Sequence, residues 1–178
     1  MADATDPSAG STPKLADPES GPITLPNNES FLPHSTVLIV DDNAQNVELL
    51  QAFLESLPVK LVTATDGIDA LEKVKEHNPD LILLDIMMPR MSGFQVCRKL
   101  KNDPATRDIQ ILMVTALNEL GDIEQASDCG TDDFVSKPVN KFELLTRVKS
   151  LLRVRHLKSE LERALTYLHE VDQEEESL

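Results

Sequence analysis

Three carboxylates in this chain stand where runs of aliphatic residues stop. Val37-Leu-Ile-Val40 ends in Asp41 and Asp42, and Leu81-Ile-Leu-Leu84 ends in Asp85. Two further apolar stretches end in a hydroxyl, Thr115, and in an ammonium, Lys137, which is followed directly by Pro138. Together these groups are the parts that phosphoryl transfer requires. An Asp carboxylate acts as nucleophile and becomes an acyl phosphate, while positive charge neutralises the oxygens that gain charge in the transition state. Two carboxylates about 5 Å apart repel by roughly 3 kcal/mol at an effective dielectric near 20, so a cluster of three needs a counter-charge. All-oxygen ligation suits Mg2+ or Mn2+, whereas zinc would call for His or Cys, which these strand ends lack. Asp85 stands alone at its strand end and is the candidate nucleophile; Asp41 and Asp42 are a candidate metal-holding pair. Taken singly, each residue has a plain structural reading: Asp opens turns, Thr is a β-branched strand residue, and Lys is a solvated charge. Only their joint occurrence argues for chemistry.

The elements that must position them follow from the hydrophobic pattern. Val37–Val40 and Leu81–Leu84 have the length and composition of strands buried on both faces. After Asn43, a plausible N-cap, Val47, Leu50, Leu54 and Leu57 recur at helical spacing until Pro58. Val59 to Ala64 reads as a second strand, with Ile68, Leu71 and Val74 as the face of the next helix. Phe94, Val96, Cys97 and Leu100 mark a helix after the third strand, and Ile109 to Val114 is the fourth strand. A weaker helix runs through Ile123 and Ala126 to Cys129, with Gly130 as its cap, and Asp133-Phe-Val135 is a short fifth strand. Strands alternating with helices imply a three-layer α/β domain with a five-stranded parallel sheet and right-handed crossovers. The flavodoxin-like strand order 2-1-3-4-5 sets the first and third strands side by side, and three carboxylates then meet in one crevice.

Composition narrows the function classes. Of a net charge of -14, residues 1–34 carry -4, 35–140 carry -9, 141–171 carry +3 and 172–178 carry -4. An acidic body with five Phe, one Tyr and no Trp lacks the cationic stripe and stacking aromatics of a nucleic-acid binder. No apolar run is long enough to span a bilayer, so a soluble, cytoplasmic protein without membrane contact is expected. Cys97 and Cys129 have no metal-ligand spacing and read as small buried hydrophobes. Residues 1–34 hold six of the eleven prolines and no apolar period, and are expected to be a disordered tail ahead of a domain at 35–153.

In their order and setting these motifs resemble the receiver domain of bacterial two-component response regulators, the CheY-like family. The resemblance covers residues 35 to about 155 and rests on Val-Asp41-Asp42, Leu-Leu-Asp85-Ile-Met-Met-Pro89-Arg-Met-Ser-Gly93, Val-Thr115-Ala116 and Asp-Asp-Phe-Val-Ser-Lys137-Pro138. It implies that Asp85 accepts a phosphoryl group from a histidine kinase or a histidine phosphotransfer protein in a Mg2+-dependent reaction. It further implies that Asp42 and Asp85 ligate the metal directly, Asp41 through water, and Met87 through its backbone carbonyl. Thr115 would then bond the phosphoryl group and Lys137 would pair with it, beside the small residue Ala116. The aromatic that moves with Thr115 is here Phe134, which has no hydroxyl and can report only by packing. Such a domain signals to a downstream protein target and is not an enzyme beyond its own phosphorylation and dephosphorylation. A phosphatase with an acid nucleophile is disfavoured, since the second acid of such enzymes falls on Met87.

Beyond the domain the apolar pattern continues. Val154, Leu157, Leu161, Ala164, Leu168 and Val171 keep three-four spacing, so the last helix is expected from about Lys141 to Val171, roughly 45 Å. Residues 154–178 are thus a helical extension with an acidic tail, folded back on the domain or paired as a parallel or antiparallel coiled coil in a homodimer. In a parallel pair Arg153 would face a second Lys158, which disfavours that register. The chain is either a stand-alone regulator or the receiver and linker of a longer one bearing a cyclase or phosphatase.

Overall fold

The structure is a computed structural model that describes residues 32–116 and 128–176. Its strands are β1 (Thr36–Val40), β2 (Lys60–Ala64), β3 (Leu81–Leu84), β4 (Gln110–Thr115) and β5 (Asp133–Ser136). They form one parallel sheet in the order β2-β1-β3-β4-β5. Helices α1 (Ala44–Leu54), α2 (Gly67–His77), α3 (Gly93–Asn102) and α4 (Lys141–Glu176) complete it. The helix expected from Ile123 lies mostly outside the described residues. Gly130 adopts φ 83, the left-handed conformation that suits the glycine expected to cap it.

Alternate strand residues feed two cores. Val37, Ile39, Leu81, Leu83, Leu112 and Val114 pack with Leu50 and Leu54 of α1 and with Leu144, Val148 and Leu152 of α4. Leu38, Val40, Ile82, Leu84, Ile111 and Met113 face Val74 of α2 and Val96, Cys97 and Leu100 of α3. Burial on both faces explains why these strands are continuous aliphatic runs and not alternating ones. The strand ends are set by local chemistry. Asn43 accepts from the backbone N–H of Gln45 and Asn46, so α1 starts immediately after the acids of β1. Asp66 does the same for α2, and Ser92 with Gln95 forms a capping box for α3.

Two expected boundaries shift. Leu32–His34 form a short 3-10 turn with Leu32 wholly buried in the α1 and α4 core, so the packed body takes in residues left to the tail. A single leucine suffices because its burial is worth about 2 kcal/mol, enough to hold one turn. At the other end α4 continues past Val171 to Glu176. Its inward residues stop at Leu152, and Val154, Leu157, Leu161, Leu165 and Leu168 are exposed, so the extension does not fold back as a covered helix. No helix among the described residues is long and apolar enough to cross a membrane.

Candidate functional site

Register places the acids. Val40 of β1 lies opposite Leu84 of β3, so Asp41 and Asp85 are the next residues of neighbouring strands. The Asp85 backbone N–H still donates to the Val40 carbonyl at 2.9 Å, after which the two chains part. The carboxylates of Asp41, Asp42 and Asp85 come within 4.8 Å of one another. Asp41 and Asp85 are buried, Asp42 is exposed, and the cluster therefore has one open side. On β4, Thr115 lies opposite Ser136 of β5, and Lys137 follows Ser136 at the same edge. The Lys137 ammonium donates to Asp41 at 2.9 Å and stands 3.4 Å from Asp85.

Fixed hydrogen bonds hold this frame. Asp41 accepts from the Asn43 backbone N–H at 2.9 Å, and the Asn46 side-chain amide donates to both its oxygens at 3.1 and 3.0 Å. Asp85 accepts from the Ile86 backbone N–H at 2.8 Å. Gly93 tucks α3 beneath Asp85: a Cβ there would sit 2.2 Å from the Asp85 carbonyl oxygen, so no other residue fits. Burial pushes the Asp85 carboxyl above the ordinary Asp range, Lys137 opposes that shift, and the Asp41 charge adds to it. The site thus carries more negative charge than its one lysine offsets, in a donor set made of oxygens. Mg2+ fits that set: the carboxylates lie close enough to share one small ion, with no soft ligand to favour zinc.

Between Asp85 and Gly93 the chain makes two tight turns, Met88 N–H to Ile86 O at 3.1 Å and Met91 N–H to Pro89 O at 2.7 Å. The Met87 side chain is exposed. Arg90, in the left-handed region at φ 68, pairs with Asp66, tying this loop to the N-cap of α2. Phe134 lies on β5 opposite Met113 of β4 and is partly exposed.

Sequence reasoning named Asp41, Asp42, Asp85, Met87, Thr115, Phe134 and Lys137, all on β-strands or the loops that leave this edge. It missed Asn46, Asp66 and Arg90. Asn46 carries a faint signal, one helical turn beyond Asn43 on the side that faces the first strand end. Nothing in the sequence links Asp66 to Arg90, 24 residues away.

A sequence profile of the response regulator receiver domain matches residues 37–149. The response regulator PleD of Caulobacter vibrioides is 46% identical over 125 residues, which are 70% of this chain and 28% of PleD. The polar-differentiation response regulator DivK of Brucella ovis is 36% identical over 117 residues, 66% of this chain and 95% of DivK. Among solved structures, the receiver domain of the Pseudomonas aeruginosa sensor histidine kinase PA1611, with a magnesium ion coordinated in its active site cleft, is similar at a TM-score of 0.62. It is 28% identical, and the match covers 66% of this chain and 97% of that one.

Proposed function

This chain belongs to the response regulator receiver domain family, and from that membership we propose that Asp85 is its phosphoacceptor. The observation that carries the assignment is the cluster of Asp41, Asp42 and Asp85, with Lys137 reaching two of the three. In this reading Asp42, Asp85 and the Met87 backbone carbonyl hold Mg2+ directly, and Asp41 holds it through water. Bound there, Mg2+ neutralises the excess negative charge and lets a phosphoryl dianion approach. A carboxylate oxygen of Asp85 attacks the phosphorus of a phosphohistidine on a histidine kinase or phosphotransfer protein, or of a small phosphodonor. The O–P bond forms as the P–N bond, or the donor's P–O bond, breaks and the imidazole or carboxylate leaves. Lys137 shifts from bridging Asp41 and Asp85 to pairing with a phosphoryl oxygen, and Thr115 bonds another. Asn46 keeps the Asp41 carboxylate oriented when Lys137 leaves it.

The chain acts as a signalling phosphoacceptor and not as a turnover enzyme, passing its state to a downstream protein through the β4, β5 and α4 surface. Phe134 lies there as a packing reporter, and the exposed leucines of α4 pair with a second copy of the chain. The chain covers only 28% of PleD, so target and pathway are not carried over from that relative. Purified protein with Mg2+ and acetyl phosphate is expected to gain one acid-labile phosphate on Asp85, and Asp85→Asn to gain none. Undiminished labelling of the variant would remove Asp85 from this role. Sedimentation of the wild type and Leu161→Glu tests the pairing, which is refuted if both sediment alike as monomers.

A further inference from the structure

Cys97 and Cys129, 32 residues apart in sequence, take no part in the site at the strand ends, yet the fold brings them together. Cys97 lies wholly buried on the inward face of α3, and Cys129, equally within the core, directly precedes Gly130. The Cys97 thiol donates to the Cys129 carbonyl at 3.2 Å, which sets the Cys97 sulfur against the second cysteine. Both are thiols and not a disulfide. A disulfide requires an S–S separation of about 2.05 Å, so the two side chains must rotate toward each other to form one.

The surroundings treat the two sulfurs differently. The bond to Cys129, together with burial, pushes the Cys97 thiol far up, so it keeps its proton. The Cys129 thiol is pulled down to about 7, first by the bond from Cys97, then by the Thr131 backbone N–H and the Arg98 charge, against burial. Lys101 and Asp132, paired at 2.7 Å, are the other charges acting on the pair. Cys129 is therefore the sulfur that gives up its proton more readily, and Cys97 is the one that keeps it. Asp128 and Gly130 on either side of Cys129 are exposed, so it lies one layer beneath solvent.

We propose that Cys97 and Cys129 are a peroxide-responsive dithiol that closes to an intramolecular disulfide, stapling α3 to the segment that leads into β5. The Cys129 thiolate attacks one oxygen of hydrogen peroxide, the O–O bond breaks, hydroxide leaves, and a sulfenic acid forms. The Cys97 sulfur then attacks the sulfenic sulfur and loses its proton; the S–O bond breaks, and the departing hydroxide takes that proton as water. In total two thiols and one peroxide give one disulfide and two waters, the sulfurs losing the two electrons that the peroxide gains. The staple would join the helix packed beneath Asp85 to the strand that ends beside Lys137. Its formation does not depend on which residue accepts phosphate.

The test treats the reduced, full-length chain with graded hydrogen peroxide, blocks remaining thiols with N-ethylmaleimide in denaturant, and maps peptides without reduction. The expected product is a Cys97–Cys129 linked peptide lighter by two hydrogens, formed within a single chain and reversed by dithiothreitol. Cys97→Ala should halt at the Cys129 sulfenic acid, trapped by dimedone, and form it more slowly at neutral pH than the wild type forms its disulfide, because the bond that chiefly lowers the Cys129 thiol is gone. The proposal is overturned if both thiols still take the alkylating agent at peroxide levels that oxidise the exposed Met87, or if Cys129 passes to sulfinic acid without the linked peptide.

Discussion

At one edge of the sheet Asp41, Asp42 and Asp85 gather around one ammonium, while at the other Asp80, Asp108 and Asp132 each have a cation of their own. Asp80, Asp108 and Asp132 stand just ahead of β3, β4 and β5 and pair with Arg155, Lys158 and Lys101 respectively. They also do backbone work: Asp80 accepts from the Thr36 N–H at 2.9 Å and Asp132 from the Ile111 N–H at 2.7 Å. The same residue type at the two ends of one sheet thus serves opposite purposes. Balanced pairs hold strands and α4 in place, whereas the unbalanced cluster leaves negative charge that a cation can offset. The pH behaviour separates them too. Asp85 is raised, so its folded-state cost is present at neutral pH and is relieved as pH falls through its folded value. Asp108 is lowered, chiefly by its bond to Lys158, so its contribution is present above its ordinary value and is lost as pH falls through its folded one.

The sharpest way to break this contrast is Asp85→Asn. It should cut phosphorylation by more than a thousandfold, over about 4 kcal/mol in transition-state terms, while raising stability in metal-free buffer at neutral pH. Denaturant melts in EDTA measure the second half, and a loss of stability would mean that the cluster is not under strain. Next, Mg2+ at a hundred times its dissociation constant should stabilise the wild type by about 2.7 kcal/mol, with Asp42→Ala losing most of that gain. Thermal melts across a Mg2+ titration decide it, and equal gains in both proteins would take Asp42 out of the ligand set. At the opposite edge Asp132→Ala should cost about 2 kcal/mol, because it strands the Ile111 N–H and takes the carboxylate from Lys101, whose ammonium keeps the Arg107 and Ile109 carbonyls. Phosphorylation per folded molecule should not change, as acetyl phosphate kinetics would show. The smallest effect belongs to Lys158→Ala, below about 1 kcal/mol and shrinking with added salt, as a partly exposed pair requires. Melts at low and high salt would contradict that if the variant were equally affected in both.

Much of the catalytic edge was legible because its geometry follows from chain order. A parallel sheet puts every strand's C-terminal end on one side, so acids that follow Val40 and Leu84 must converge once β1 and β3 are neighbours. Asn46, Arg90 and the partnership of Cys97 with Cys129 were not legible. Each depends on the phase of a helix or the path of a loop relative to another element, and hydrophobic spacing carries no record of that. Leu32 was missed for a related reason: a lone apolar residue in a proline-rich segment has no period to mark it. The apolar run of α4 beyond the domain was legible, and the packing agrees that cover by the domain stops at Leu152; that the extension lies exposed and not folded back was decided only by the packing.

By itself, the sequence determined the order of strands and helices, the edge at which the acids gather and the oxygen-only character of the site. These are properties of residue type and spacing, which local propensity and burial translate directly. The tertiary structure alone decided which charges are balanced: Lys137 over Asp41 and Asp85, Arg155 on Asp80, Lys158 on Asp108, Lys101 on Asp132. An ion pair between residues tens of positions apart requires two elements to be docked at a fixed angle, and that angle is set by the packing of the two cores as a whole.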